Sequence, residues 1–370
     1  DSGPVIRQCT LEHALWRPGV ECVATYRLEV LGRDGEASTM GAVAVSPGGV
    51  RHWLYTDDPA LAGLASAADP HAINAWLAAH AGSDPHHYTI TPVRYRAGTR
   101  CVLRYQPRGV DAPCLYGKVV AGNACTELAT VVSSLSETLV APYVGVVPDW
   151  QLVVQRDAGH ESLRAVPLDL SGSAATAFVA AGQLLARLHA HAAPRGPVRS
   201  LADDIDELLR LEPALHLVDP ACADRFSDGI ARLQARIASS EAMVASHGAY
   251  RADQVHRSAR GPVMIDLDSY CLAEPARDAA NFLAYLRWRA IRGAVPGAAV
   301  AHVRDAFVDG YRSGSRRALD TERSRVFEAA ALLKIAGRRC RSLSAHEWQH
   351  LPALIDTALD MLAVAPESAQ

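Results

Sequence analysis

A repeat in the first third of the chain limits the available folds more than any other feature. Trp16-Arg17-Pro18-Gly19-Val20-Glu21-Cys22-Val23-Ala24-Thr25-Tyr26 returns 79 residues later as Tyr95-Arg96-Ala97-Gly98-Thr99-Arg100-Cys101-Val102-Leu103-Arg104-Tyr105, with Arg, Gly, Cys, Val and Tyr in place. Glycine permits a tight turn and the Cys-Val-x-x-Tyr half suits a pleated surface, so each copy predicts a β-hairpin. Downstream the copies diverge. Leu115-Tyr116-Gly117-Lys118-Val119-Val120 aligns with Thr39-Met40-Gly41-Ala42-Val43-Ala44 only across a small gap, and Lys118 has no counterpart in the first copy.

Past residue 170 the apolar spacing turns helical. Phe178, Leu184, Leu185 and Leu188 mark a helix over 174–192, and further helices are predicted near 200–212, 222–245, 276–291, 298–313, 321–342 and 348–364. Ahead of these, 57–80 reads as a loop and an Ala-rich helix, 80–92 as a linker, 124–139 as a helix and 150–155 as a short apolar strand. A β-rich front and a helical back give an α+β fold in three parts: 1–88, 89–156 and 157–370.

With 49% hydrophobic and 21% charged residues the chain has the means to bury a sizeable core. Lys and Arg number 37 against 40 Asp and Glu, a formal charge of -3 that gives no field to gather nucleic acid or anionic lipid. A small or neutral partner is the expectation. Eight cysteines are scattered without a Cys-x-x-Cys pair, which argues for buried free thiols in a reducing, cytoplasmic setting rather than a zinc site or a disulfide framework. No run approaches the roughly 20 apolar residues of a membrane helix. No signal-peptide pattern opens the chain, although Asp1 in place of Met marks a trimmed or processed start.

The chemistry-bearing segment runs from 245 to 283: Ser246-His247-Gly248-Ala249-Tyr250-Arg251-Ala252-Asp253-Gln254, then Val263-Met264-Ile265-Asp266-Leu267-Asp268, then Glu274-Pro275-Ala276-Arg277-Asp278. Over roughly 90–345 the chain resembles the aminoglycoside phosphotransferase and choline kinase family, whose signature is His-Gly-Asp, four residues, Asn, a hairpin to Ile-Asp, and Gly-Asp-Pro-x-x-Asp. The resemblance implies a two-lobed protein-kinase-like fold, ATP and Mg as cofactors, and residues 1–88 as a degenerate copy of the β-rich lobe.

Carried over residue by residue, the resemblance makes Asp266 the main magnesium ligand, with Asp268 beside it if the strand continues, and Gln254 stands where the family has its ligand Asn. A pair of solvated acids at a strand end is the plainer alternative for Asp266 and Asp268. Lys118 fits the strand lysine of the nucleotide phosphates, oriented by Glu127 or its competitor Glu137, under the hairpin at Gly98. Val154 and Gln155 resemble the hinge strand that holds an adenine edge; plain core strand is the equal alternative. His189 reads as a satisfied core histidine, and Asp278 as a brace for the following helix.

Where the family carries its catalytic aspartate this chain has Ala249, whose methyl neither accepts a proton nor orients a hydroxyl. Three explanations follow: a pseudokinase, an enzyme using another group such as Asp253, or an engineered Asp→Ala change. Arg251 is placed to hold a phosphate oxygen or the Asp266 carboxylate, with a surface arginine the equal alternative. The expected activity is ATP- and magnesium-dependent phosphoryl transfer to a hydroxyl of a small molecule. A silent nucleotide- or partner-binding pseudokinase and a Ser/Thr kinase acting on a peptide are the alternatives.

Overall fold

The computed structural model describes residues 5–32, 35–80, 87–109, 113–122, 124–159, 161–170, 172–191, 196–237, 242–293, 295–315 and 318–363. They form two compact units, one of 1–137 with 141–157 and one of 138–140 with 158–370. Among the described residues no helix is long and apolar enough to cross a membrane.

Both repeats in the first unit form hairpins. β1 (Val5–Arg17) and β2 (Glu21–Gly32) continue into β3 (Gly35–Ser46) and β4 (Gly49–Leu54) as a four-stranded antiparallel sheet in sequence order. Two helices follow, α1 (Leu64–Ala67) and α2 (Pro70–His80). The second sheet holds β5 (Tyr88–Arg96), β6 (Arg100–Pro107), β7 (Leu115–Val120), β8 (Tyr143–Val147) and β9 (Leu152–Arg156), in the order β5-β6-β7-β9-β8, with α3 (Ala124–Ser134) between β7 and β8. The stretch 80–92, expected to be a linker, therefore includes the start of β5, because Tyr88, Ile90 and Pro92 pair with Pro107, Tyr105 and Leu103.

The two hairpins match in register. Trp16 faces Cys22 as Tyr95 faces Cys101, and each turn closes with one backbone bond, Val20 N–H to Arg17 O and Thr99 N–H to Arg96 O, both 3.0 Å. Gly19 and Gly98 sit at φ +72° and +69°, which glycine adopts without steric penalty. Cross-strand pairing also settles the gapped alignment. Lys118 pairs with Val102 and Ala44 with Val23, so Ala44 is the counterpart of Lys118.

Met40 and Ala42 of the first sheet share one core with Tyr95, Cys101, Leu103, Tyr105 and Val119 of the second. A polar knot lies beside it. Asp58, 2% exposed, accepts the Tyr95 hydroxyl (2.6 Å), the Gly98 amide (2.7 Å) and the Ala60 amide (2.9 Å), while Trp53 Nε1 donates to the Tyr95 oxygen at 2.7 Å. Burial first, and then the Asp58 carboxylate, push the Tyr95 phenol well above its ordinary pKa. Charge-assisted bonds of this kind contribute about 1.5–3 kcal/mol each, and they do not add fully. Asp58→Ala is expected to lower the unfolding free energy by about 3 kcal/mol in urea denaturation. A loss below about 1 kcal/mol would show that the carboxylate does not hold the Gly98 turn.

The second unit is mainly helical: α4 (Gly172–His189), α5 (Leu201–Val218), α6 (Pro220–Gln234), α7 (Pro275–Ile291), α8 (Gly297–Gly314), α9 (Thr321–Arg341), α10 (Ala345–Trp348) and α11 (Leu351–Ala363). Short strands join them: β10 (Glu161–Ser162), β11 (Val198–Arg199), β12 (Val244–Ser246), β13 (Val255–Ser258), β14 (Gly261–Met264) and β15 (Cys271–Ala273). The helix expected over 222–245 ends earlier, at Gln234, and Val244–Ser246 instead pairs with β15. Phe178, Tyr250, Phe282 and Phe307 form an aromatic core in which Phe282 and Phe307 stack at 4.1 Å. All eight cysteines are free thiols; six are buried, Cys22 is half-buried and Cys9 is exposed.

Candidate functional site

The loop from β12 to β13 is tied down by side chains distant in sequence. Asp278, buried in the first turn of α7, accepts the amides of His247 (2.6 Å) and Gly248 (2.9 Å). The His247 ring reaches Ile265 O at 2.9 Å, Asn281 Nδ2 donates to Tyr250 O at 2.9 Å, and the Tyr250 hydroxyl donates to Ala181 O at 2.9 Å. At Gly248, with φ +79°, a Cβ would lie 1.8 Å from the Ser269 carbonyl oxygen, so the chain passes here only as glycine. His189 is buried, with Nδ1 2.9 Å from the Tyr311 hydroxyl and Nε2 3.6 Å from Asp278 Oδ2. Asp278 thus braces the loop as well as opening its own helix.

On this frame sit the residues picked out for chemistry. Ala249 is half-buried. Arg251 Nε stands 3.2 Å from Asp253 Oδ1, its Nη1 donates to the Tyr285 hydroxyl at 3.3 Å, and its guanidinium lies 4.9 Å over the Tyr285 ring. Burial alone would raise the Tyr285 phenol, but Arg251 and Arg338 beside it hold it below its ordinary pKa.

Gln254 is buried in the turn Ala252–Gln254 and donates Nε2 to Asp266 Oδ2 at 3.3 Å, while its Oε1 is buried without a hydrogen bond. Asp266 has φ +66°, a left-handed backbone that non-glycine residues adopt rarely and that clusters at functional positions. β14 ends at Met264 and Leu267–Ser269 forms a 3-10 turn, so Asp268 does not share a strand face with Asp266. No group of three or more His, Cys, Asp or Glu gathers for a metal among the described residues. Gln254 and Asp266 instead offer two oxygen-bearing side chains, a number that suits Mg2+, which keeps several waters and takes one or two protein carboxylates. A buried acceptor without a partner costs about 1–3 kcal/mol, and a cation at Gln254 Oε1 would remove that penalty.

In the first unit, Gly98 lies at its turn with open space above the Cα, and its amide is committed to Asp58. Lys118 is half-buried on β7, opposite Val102 and Val153. Glu127 is exposed in the first turn of α3. Val154 is buried and Gln155 donates Nε2 to Ala141 O at 2.8 Å. β9 is paired with β7 on one side and β8 on the other.

Sequence reasoning missed Tyr285 and the buried group of Asp204, Arg277 and Lys334, in which Arg277 Nη1 also donates to Gly248 O at 3.1 Å. Asp204 lies over 40 residues upstream of Gly248, and only its buried position on the apolar face of α5 would have marked it.

Residues 149–325 match a family described as a phosphotransferase enzyme family, APH. Among solved structures, a choline kinase from Cryptosporidium parvum Iowa II is similar at TM-score 0.57 and 9% identity, over 79% of this chain and 95% of that one. An amicoumacin kinase in complex with AMP-PNP, Ca2+ and Ami gives TM-score 0.56 and 15% identity, over 80% and 94%. A spectinomycin phosphotransferase in complex with ADP and spectinomycin gives 0.53 and 12%, over 80% and 99%. No curated protein matches the chain. The resemblance read from 245–283 is borne out by the family match, and the α+β fold is that of the choline kinases and aminoglycoside phosphotransferases.

Proposed function

We propose that the chain binds ATP with Mg2+ and transfers a phosphoryl group to a hydroxyl of a small molecule. The observation that carries this reading is the buried, unbonded Gln254 Oε1 beside the Asp266 carboxylate, two side chains that the loop and the β14 end hold together. The phosphotransferase family match and the AMP-PNP and ADP of two structural neighbours support the nucleotide. The chemistry Mg2+ would supply there is neutralisation of phosphate charge. Gln254 and Asp266 would hold the ion, and the resemblance assigns Lys118 to the nucleotide phosphates.

Asp278, His247 and Asn281 fix the backbone around Ala249, but that position gives the acceptor hydroxyl no base. Asp253, held by Arg251 at 3.2 Å, is the remaining carboxylate of the loop. Transfer is accordingly slow, and Ala249 also favours a second reading in which nucleotide binds and no transfer occurs.

Titration with AMP-PNP tests the proposal. Binding is expected to need Mg2+ and to weaken roughly 10- to 100-fold in Asp266→Ala, as a charge-assisted contact is lost. A wild-type chain that binds no nucleotide would overturn both readings. Turnover that survives Asp253→Asn unchanged would exclude Asp253 as the base.

A further inference from the structure

Arginines crowd one face of α7 in the second unit. Tyr285, Arg289 and Arg292 follow at spacings of four and three, which places them on one side of the helix. Arg251 stacks on Tyr285, and Arg292 and Arg339 lie 5.2 and 6.0 Å over the Trp288 ring. The carboxylates are already assigned. Asp253 serves Arg251, Glu207 serves Arg338, and Glu347 serves both Arg292 (3.1 Å) and Arg339 (3.0 Å). Among the described residues none serves Arg164 or Arg289.

Arg289 is half-buried, its Nη1 is shielded from solvent without a hydrogen bond, and its charged neighbours are the guanidiniums of Arg164 and Arg292. Arg292 Nε is likewise buried without a hydrogen bond. Burial first, then these two like charges, lower the Arg289 pKa. Arg292 is already offset by Glu347, but the shielded Arg289 Nη1 has no counter-charge among the described residues, a penalty that an anion joining it would remove. The place is also informative. Arg164 lies in the turn Leu163–Ala165, which packs against Ala252–Gln254, the turn that carries Asp253 and Gln254.

We infer that Arg164, Arg289 and Arg292 seat an oxyanion, a carboxylate or a phosphate, borne by the acceptor molecule beside the Ala249 loop. The planar forks of arginine suit two-point contacts to such groups. The acceptor is then an anionic hydroxyl compound, whereas a polycationic one would meet like charge. The assignment to an acceptor rests on the phosphotransferase reading; the anion seat does not.

Inorganic phosphate is the probe, titrated at constant ionic strength against chloride, with melting temperature and calorimetric affinity as readouts. Wild type is expected to bind it saturably. Arg289→Gln and, on its exposed turn, Arg164→Gln are expected to bind about 10- to 100-fold more weakly, while the exposed Arg210→Gln on α5 binds as wild type. Without phosphate, Arg289→Gln is expected to melt no lower than wild type, because it relieves repulsion. A lower melting temperature with an unchanged phosphate response would assign Arg289 a structural role and overturn the inference. So would displacement of phosphate by saturating AMP-PNP with Mg2+, which would give the seat to the nucleotide. AMP-PNP binding with no phosphate response overturns the anion seat alone; phosphate binding through Arg289 with no AMP-PNP binding overturns the phosphotransferase reading alone.

Discussion

Ala249→Asp is expected to raise ATP turnover by about two to four orders of magnitude, the usual contribution of a positioned general base. The expectation rests on how little else around position 249 is missing. Asp278 grips the two preceding amides, Asn281 holds the following carbonyl, and Tyr250 is anchored on Ala181 and stacked on Phe282. A restored carboxylate would therefore stand on a backbone that is already ordered and need not organise the loop itself. Turnover can be followed as ATP hydrolysis, with water as acceptor, so the measurement does not wait for the natural acceptor. Ala249→Asn is the control, since it has nearly the same shape and no basic oxygen. Equal rates in the two variants would show that the loop is not a catalytic loop, whatever its resemblance.

The sequence was most legible where local chemistry decided structure. Gly19 and Gly98 marked both hairpin turns, and the Leu184-Leu185-x-x-Leu188 spacing marked α4, because a turn residue or a buried helical face is written within a few positions. The gap in the repeat was not readable, because only cross-strand pairing shows that Ala44 stands where Lys118 does. The helix expected over 222–245 stops at Gln234, and Val244, Ala245 and Ser246 take a strand partner, β15, nearly thirty residues on, which no local pattern announces. At the site, motif order brought out Gln254, Asp266 and Asp278. The supports for that loop and for the Gly98 turn, Asp204 and Asp58, are single acids whose partners are distant in the chain, and no local pattern announces them.

Asp204→Asn is expected to lower the unfolding free energy by about 3–5 kcal/mol at pH 7, the usual consequence of stranding a buried charge. Asp204 is 2% exposed on α5 and receives Arg277 of α7 through two bonds (3.0 and 2.8 Å) and Lys334 of α9 at 2.9 Å. An asparagine would leave two desolvated cations facing one neutral amide. Burial opposes ionisation of Asp204, but Lys334 and Arg277 outweigh it and hold the carboxyl well below the ordinary carboxylate range. A lowered folded-state pKa gives stability that is complete above the unfolded value of about 3.9 and is lost only as pH falls below it. The difference between wild type and Asp204→Asn should therefore stay level from neutral pH down to about 4 and close in stronger acid. Burial also lowers the pKa of Lys334, with Asp204 pulling the other way, so in the variant the lysine sheds its proton more readily and the loss falls toward the lower end of the range. Adding Lys334→Met to Asp204→Asn should then recover part of the stability, since only Arg277 remains stranded. Because Arg277 also holds the Gly248 carbonyl, the single variant should weaken nucleotide binding before it unfolds. A loss below about 1 kcal/mol in urea denaturation at pH 7 would mean that solvent reaches the three charges and that they do not brace the loop.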